Sequence, residues 1–449
     1  MTRISVIGCG YLGAVHAASM AEVGHQVVGI DTDAEKIALL SQGKAPFYEP
    51  GFDELLRRNV ESGRLTFSTD FADATQAEIH FIGVGTPQRP DGQGADLAYV
   101  HAATDALLAV LPDHPERASL VAGKSTVPVG TAAALAEKFS AKGALVAWNP
   151  EFLREGFAVD DTLRPDRLVY GLPADPEQAK LAEAKLDAAY AKILSGETYE
   201  GRDWTETPKV VTDYATAELV KVAANSFLAT KISFINAMAE ICDATGGNVT
   251  TLAEAIGYDD RIGKKFLRAG VGFGGGCLPK DIRAFQARVD ELGLNETLDF
   301  LSDIDAVNVR QRSRVVTKLA DALGGSVEGK TIAVLGAAFK PDSDDIRDSP
   351  AVDVARRLIA AGAVVRVTDP KAGPVVAKYA PDLPFVDTVD LAVDGADAIA
   401  VLTEWTEFRQ LDPVEVAGKM SHNIVLDGRN CLAKQAWMHA GFSYLGMGQ

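Results

Sequence analysis

The chain opens with a short apolar run, Ile4 to Ile7, then a glycine-bearing break at Gly8 to Gly13 and a stretch of helical spacing through Val23. A second apolar run, Gln26 to Ile30, stops at Asp31. Apolar runs this short, bounded by turn residues and alternating with helical stretches, predict parallel strands buried on both faces. The alternation continues at Ile79 to Pro87, Ser119 to Pro128 and Ala144 to Pro150, each an apolar strand entering a loop that carries Gly or Pro. Residues 173–200 are rich in Ala, Lys and Glu and predict a surface helix, and the change of character at Gly201 to Pro208 predicts a domain boundary. From Tyr214 to Thr245 there is neither Gly nor Pro, which predicts one helix of about 30 residues, some 45 Å long. After Gly324-Gly325 the strand pattern returns at Gly329 to Gly336, with a helix expected over Ser349 to Ala361 and a strand over Val364 to Thr368 that ends at Asp369. The fold expected is α/β: two Rossmann-like domains joined by a long central helix within an all-helical middle domain. The boundaries expected are 1–203, 204–315 and 316–449.

Composition narrows the partners. The chain has 449 residues, with 44 basic against 62 acidic side chains, for a net charge of −18. That balance argues against a nucleic acid or an anionic membrane surface as partner. It leaves room for a small anionic ligand held by backbone N–H groups and a few local cations. The four cysteines are far apart and the histidines form no ligand-spaced cluster, so no metal site is expected and a reducing, cytoplasmic setting is. No apolar run approaches the roughly 18 residues a membrane span needs.

Gly8-Cys-Gly10-Tyr11-Leu12-Gly13 between strand and helix, with Asp31 closing the next strand, is the pattern of a dinucleotide-binding turn. Gly8 makes the turn, Gly10 admits the pyrophosphate and Gly13 packs helix on strand. Asp31 would accept hydrogen bonds from ribose hydroxyls and repel a 2′-phosphate, so the cofactor expected is NAD. The second strand-to-acid unit lacks these glycines, and the expectation there is a Rossmann-like domain not adapted to NAD. Thr86, Thr126 and Glu151 to Glu155 lie at the carboxyl ends of predicted strands, where ligands of open parallel sheets bind. Lys340, Arg347 and Arg429 are cations in loops at strand ends and would suit a phosphate-bearing substrate.

The sharpest chemistry lies in Val271-Gly-Phe-Gly-Gly-Gly-Cys-Leu-Pro-Lys-Asp281. Its glycines are expected to let the backbone approach a ligand. Pro279 predicts a helix start with Cys277 at its mouth, where N–H groups and the helix dipole favour a thiolate. Lys280 adds positive charge, and Asp281 could polarise a water. Lys221 and Asn225 fall four apart on the long helix and so share a face.

These strings together resemble the UDP-glucose/GDP-mannose dehydrogenase family. The resemblance spans nearly the whole chain and rests on Gly8 to Gly13, Lys124 to Pro128, Asn149 to Gly156, Ala224 to Asn236, the cysteine loop, Ala338 to Pro341 and Asp427 to Arg429. Arg164 to Arg167 and Arg261 to Gly263 with Phe266-Leu267 point to the UDP-glucose branch. Gly276 stands where the family commonly has serine, and Leu278 where UDP-glucose members often have phenylalanine. The resemblance implies oxidation of UDP-glucose at C6 to the acid with two NAD+, through a thiohemiacetal and thioester on Cys277; GDP-mannose or another nucleotide sugar is the alternative. It implies catalytic roles for Cys277, Lys221, Asn225, Asp281, Glu151 and Thr126. NAD contacts are implied for Gly8, Gly10, Tyr11, Leu12, Gly13, Asp31, Lys36, Thr86, Thr126, Glu155, Lys280 and Arg347. Substrate contacts are implied for Glu151, Phe152, Leu153, Arg154, Glu155, Lys221 and Asn225. They extend to Arg261, to the loop Phe266, Leu267, Arg268, Ala269 and Gly270, and to Gly274, Lys340 and Arg429. A homodimer through the long helix is also implied. A single-step hydroxyacid dehydrogenase would share the NAD domain and long helix but lack the thiol.

Overall fold

In the computed structural model, which describes residues 1–113, 118–198 and 206–449, the chain forms two compact units. One comprises Met1–Ala224 with Asp290–Leu292, the other Asn225–Val289 with Gly293–Gln449. The domain boundary expected at 203/204 lies outside the described residues.

The first unit is built on an eight-stranded sheet. Its strands are β1 (Arg3–Ile7), β2 (Gln26–Ile30), β3 (Leu65–Ser68), β4 (Ile79–Ile82), β5 (Leu120–Gly123), β6 (Leu145–Trp148), β7 (Leu168–Leu172) and β8 (Lys209–Asp213). They lie in the order β3-β2-β1-β4-β5-β6-β7-β8 and pair in parallel, except that β6 meets β7 antiparallel at Trp148 and Gly171. The first six follow the order of a dinucleotide-binding sheet. Because side chains alternate along a strand, the apolar runs feed two cores. Ile4, Val6, Leu120 and Leu145 enter one, while Ile7, Val121, Val146 and Trp148 enter the other.

The second unit carries β9 (Thr331–Leu335), β10 (Val364–Thr368), β11 (Ala398–Val401), β12 (Ile424–Asp427) and β13 (Ser443–Gly446), all parallel, in the order β10-β9-β11-β12-β13. The turn after β9 repeats the one after β1. Gly8 donates its N–H to Ile30 and Gly336 to Thr368, each at 2.8 Å. The two acids that follow differ. Asp369 accepts from the N–H groups of Ala337, Ala338, Lys371 and Ala372 and from the Trp405 indole, all within 3.1 Å. Its carboxylate is used inside the protein, which gives a physical basis for a Rossmann-like domain not built for NAD.

Helix Tyr214–Thr245 has the bounds expected and 32 residues. Helices Val249–Gly257, Leu278–Glu291 and Phe300–Ala322 follow it before β9. Among the described residues no helix is long and apolar enough to cross a membrane, and no cluster of His, Cys, Asp or Glu could hold a metal.

Candidate functional site

In the first unit the glycine turn is shaped as its sequence demands. Gly8 has φ of 90°, and a Cβ on Gly13 would lie 1.8 Å from the Gly8 carbonyl, so helix and strand meet there as only glycine permits. Beside Gly10 the space is open, with no atom within 4 Å of where its Cβ would stand. The helix Tyr11–Glu22 starts at this point. The N–H groups of Tyr11, Leu12 and Gly13 therefore have no acceptor within it, an arrangement that suits a phosphate. Asp31 closes β2 with one oxygen on the Cys9 N–H at 2.8 Å and on Lys36 Nζ at 2.9 Å, and the other on the Asp33 N–H at 3.0 Å. An open cradle, three N–H groups without acceptors in their own helix and an adjacent carboxylate fit a dinucleotide.

Tyr11 does more than line the turn. Its hydroxyl donates to buried Glu49, whose carboxylate also receives the N–H groups of Gly156 and Ala158 at 2.7 Å. Burial, reinforced by Glu49, pushes the Tyr11 hydroxyl far above the usual phenol range. This knot fixes the loop carrying buried Glu155 against the turn. Glu49 carries no motif, and only the folded chain reveals it.

The strand-end residues converge in the same unit. Thr86 Oγ1 donates to the Thr126 carbonyl at 2.8 Å. Glu151 takes the N–H groups of Phe152 and Leu153 on one oxygen, at 2.7 and 3.1 Å, and Lys124 Nζ on the other at 3.1 Å. Lys124 is buried and also bonds Asn149 Oδ1 and the Tyr190 hydroxyl. Lys221 is half-buried with its Nζ 5.4 Å from the centre of the Phe152 ring, and the Arg167 guanidinium is 3.7 Å from the same ring. The Arg154 side chain is largely exposed and bonded to Asp161 at 2.7 Å.

In the second unit, Cys277 is exposed and immediately precedes the helix Leu278–Glu291, with its carbonyl accepting the Asp281 N–H at 2.9 Å. Asp281 is 2% exposed; one carboxylate oxygen accepts from Asn225 Nδ2 at 2.7 Å and the other from Lys280 Nζ at 2.6 Å. Three residues singled out for an oxyanion, a water and the cofactor thus form one bonded triad.

The glycines of the cysteine loop pack against the chain's own residues. A Cβ on Gly274 would stand 2.3 Å from the Asp348 carbonyl, and one on Gly276 would stand 2.5 Å from the Arg347 guanidinium carbon. Glycine is required at these positions by the close approach of the chain's own residues. Arg429 corrects an expectation. Its guanidinium, expected to face phosphate, donates to the carbonyls of Leu402, Gly272 and Phe339 within 3.0 Å and pairs with Glu404 at 3.3 Å. It therefore anchors the cysteine loop. In the neighbouring loop Phe266 has φ of 65° and is exposed with Arg268, while Leu267 and Ala269 are buried beside Ile235 and Ala239. The Gly270 N–H is held by Asn236 Oδ1 at 2.8 Å. Arg261 is well exposed and bonded to Asp259; Arg347 is exposed and bonded to Asp345; Lys340 Nζ is 5.2 Å from the Phe339 ring centre.

Comparison with known proteins agrees with this geometry. Residues 2–193 match the NAD binding domain of the UDP-glucose/GDP-mannose dehydrogenase family, 215–310 its central domain and 333–434 its UDP binding domain. A Bacillus subtilis protein named UDP-glucose 6-dehydrogenase is 40% identical over 100% of this chain and 98% of its own. One from Pseudomonas aeruginosa is 39% identical over 100% and 97%. The structure of a UDP-glucose dehydrogenase from Pyrobaculum islandicum superposes with a TM-score of 0.86 at 37% identity, covering 100% of this chain and 98% of that one.

Proposed function

The chain belongs to the UDP-glucose/GDP-mannose dehydrogenase family, and on that premise we propose that it oxidises C6 of UDP-glucose to the carboxylate, yielding UDP-glucuronate. The observation that carries this reading is an exposed thiol at a helix start, beside a buried carboxylate gripped by Asn225 and Lys280. Full-length likeness to proteins named for that activity supports the choice of sugar.

The Gly8 to Gly13 turn would hold NAD, Asp31 would accept from its ribose hydroxyls, and Lys36, Thr86, Thr126, Glu155, Lys280 and Arg347 would contribute contacts. NAD+ bound there would supply the hydride acceptor for both oxidations. The chain's own residues do the rest. A water held by Asp281 takes the proton of the sugar hydroxyl. Cys277 Sγ adds to the aldehyde carbon, so the aldehyde stays covalently bound as a thiohemiacetal. Oxidation of that adduct leaves a thioester, and a water positioned by Asp281, with Glu151 assisting, cleaves it to the carboxylate and returns the thiolate. Lys221 and Asn225 stabilise the oxyanions that form. Phe152, Leu153, Arg154, Gly274, Lys340 and the loop Phe266 to Gly270 bind the sugar nucleotide, and Arg261 reaches it from the second subunit.

The assembly proposed is a homodimer through the long helix. Phe227, Phe234 and Ile241 recur every seven residues along it and are 66%, 48% and 53% exposed, an apolar stripe that a second copy would cover. The division proposed is into three parts, 1–203, 204–315 and 316–449, and the thiol chemistry suits a reducing compartment such as the cytoplasm.

The test is NADH formed per UDP-glucose consumed, in the wild type and in Cys277→Ser. Two per sugar, with turnover lost in the variant, is expected. One per sugar in both would leave a single-step alcohol dehydrogenase. NADH with GDP-mannose but none with UDP-glucose would move the enzyme to the other branch of the family.

A further inference from the structure

We infer that Asn308 is a positioning residue for the Cys277 thiol, setting the register of the glycine loop that delivers it; this rests on reading Cys277 as the covalent nucleophile. Asn308 lies on helix Phe300–Ala322 and is fully buried. Its Oδ1 accepts the Phe273 N–H at 2.7 Å and its Nδ2 donates to the Phe273 carbonyl at 3.0 Å. One side chain thus grips both polar groups of one loop residue, which requires a donor and an acceptor on the same terminus, as in an amide. Arg312, one turn further on, reinforces the hold. Its Nη2 donates to the same carbonyl at 3.4 Å and to Asp348 Oδ1 at 2.9 Å.

The position of this grip along the chain gives it its consequence. Phe273 is followed by Gly274, Gly275 and Gly276, then Cys277. Three successive glycines have no side chains to lock their backbone and more conformations to lose than any other residue. Their path is set in the middle by the Gly275 N–H, which donates to the Arg347 carbonyl at 2.9 Å, and otherwise from the ends. Downstream the helix from Leu278 does this; upstream it is done at Phe273, whose buried ring packs with Ala229 and Ile282 while Asn308 holds its peptide groups. Even Gly272, just before, leaves no room for a side chain, since its Cβ would lie 2.4 Å from Asn308 Oδ1.

The test is Asn308→Asp in the full-length protein, which keeps the volume and the acceptor for the Phe273 N–H but sets an oxygen against the Phe273 carbonyl. Three quantities are read: kcat and KM with UDP-glucose and NAD+, the rate constant for iodoacetamide alkylation at Cys277 followed by peptide mass, and the melting temperature. We expect kcat to fall about tenfold or more with KM within about threefold, and the alkylation rate to change several-fold, because a misplaced nucleophile loses rate before binding. Wild-type kcat and alkylation with only a lower melting temperature would overturn the inference, since a merely structural tie behaves that way. If the aspartate variant does not fold, Asn308→Ser, which can serve one of the two Phe273 groups, is read by the same quantities. Cys277→Ser is run alongside. Full turnover by that variant would sink the nucleophile reading itself. Its inactivity beside an unimpaired Asn308→Asp would sink only the role of Asn308.

Discussion

Asn225 donates its side-chain N–H to the Asp281 carboxylate at 2.7 Å, joining the long helix to the helix that begins after the cysteine. Both side chains are buried, and Lys280 occupies the other oxygen. A buried carboxylate costs several kcal/mol unless it is bonded, so the pair is a structural joint between the two helices.

Removing the two partners should give different results. Asn225→Ala leaves a buried carboxylate oxygen without its donor and should lower unfolding free energy by about 1–3 kcal/mol, read by urea denaturation. Asp281→Asn keeps the shape but removes the charge proposed to hold the proton-accepting water, and kcat should fall by about 10²-fold or more while the protein stays folded.

Asp31 should govern the choice of dinucleotide. It holds Lys36 Nζ at 2.9 Å, so Asp31→Ser both removes the charge that repels a 2′-phosphate and releases a cation able to pair with one. The ratio of kcat/KM for NADP+ over NAD+ should rise about tenfold or more, about 1.4 kcal/mol of discrimination. An unchanged ratio would mean that the ribose does not lie against Asp31.

The stripe on the long helix predicts an oligomeric outcome. Phe227→Lys with Phe234→Lys places two charges on a face that a second copy must desolvate, and light scattering should report one chain per particle instead of two. A wild type that is already monomeric at micromolar concentration would remove the dimer from the proposal.

Acid should destabilise the first unit through its buried imidazoles. His80 is fully buried with one nitrogen on Ser5 Oγ at 2.7 Å and the other without a partner among the described residues, and burial lowers its pKa from 6.5 to about 4. His16 is likewise held well below the usual value, by burial first and then by Lys124 and His25. Between pH 6.5 and about 4 the unfolded chain binds protons that the folded one refuses. Stability is therefore complete above 6.5 and falls with falling pH across that window, by up to about 1.4 kcal/mol per pH unit for each histidine. Denaturation at stepped pH should show this slope, and His80→Gln should flatten it.

The sequence made legible those features that are local. Gly8 to Asp31 reads directly because a turn, a helix and a strand each leave their signature within a few residues. Tyr214 to Thr245 reads because nothing in it breaks a helix, and Cys277 reads as a helix mouth because Pro279 follows. What escaped depends on partners far apart in the chain. Glu49 meets Gly156, Asn308 meets Phe273 and Arg429 meets Gly272. A polar residue that will be buried looks, on its own helix or loop, like one facing water. Arg429 shows the limit best: a cation at a strand end suggests an anionic ligand, whereas three backbone carbonyls take its donors.

Two aspartates stand at the same place in two similar sheets, one with its carboxylate bonded by two N–H groups and a lysine, the other enclosed by five donors of the fold. The duplicated architecture has thereby divided the vulnerability of the chain. Loss of the carboxylate at Asp31 would alter what the molecule is proposed to recognise, in a protein expected to fold. The same loss at Asp369 deprives four amides and an indole of their acceptor, and its effect would appear as a shortage of folded protein before any change of selectivity.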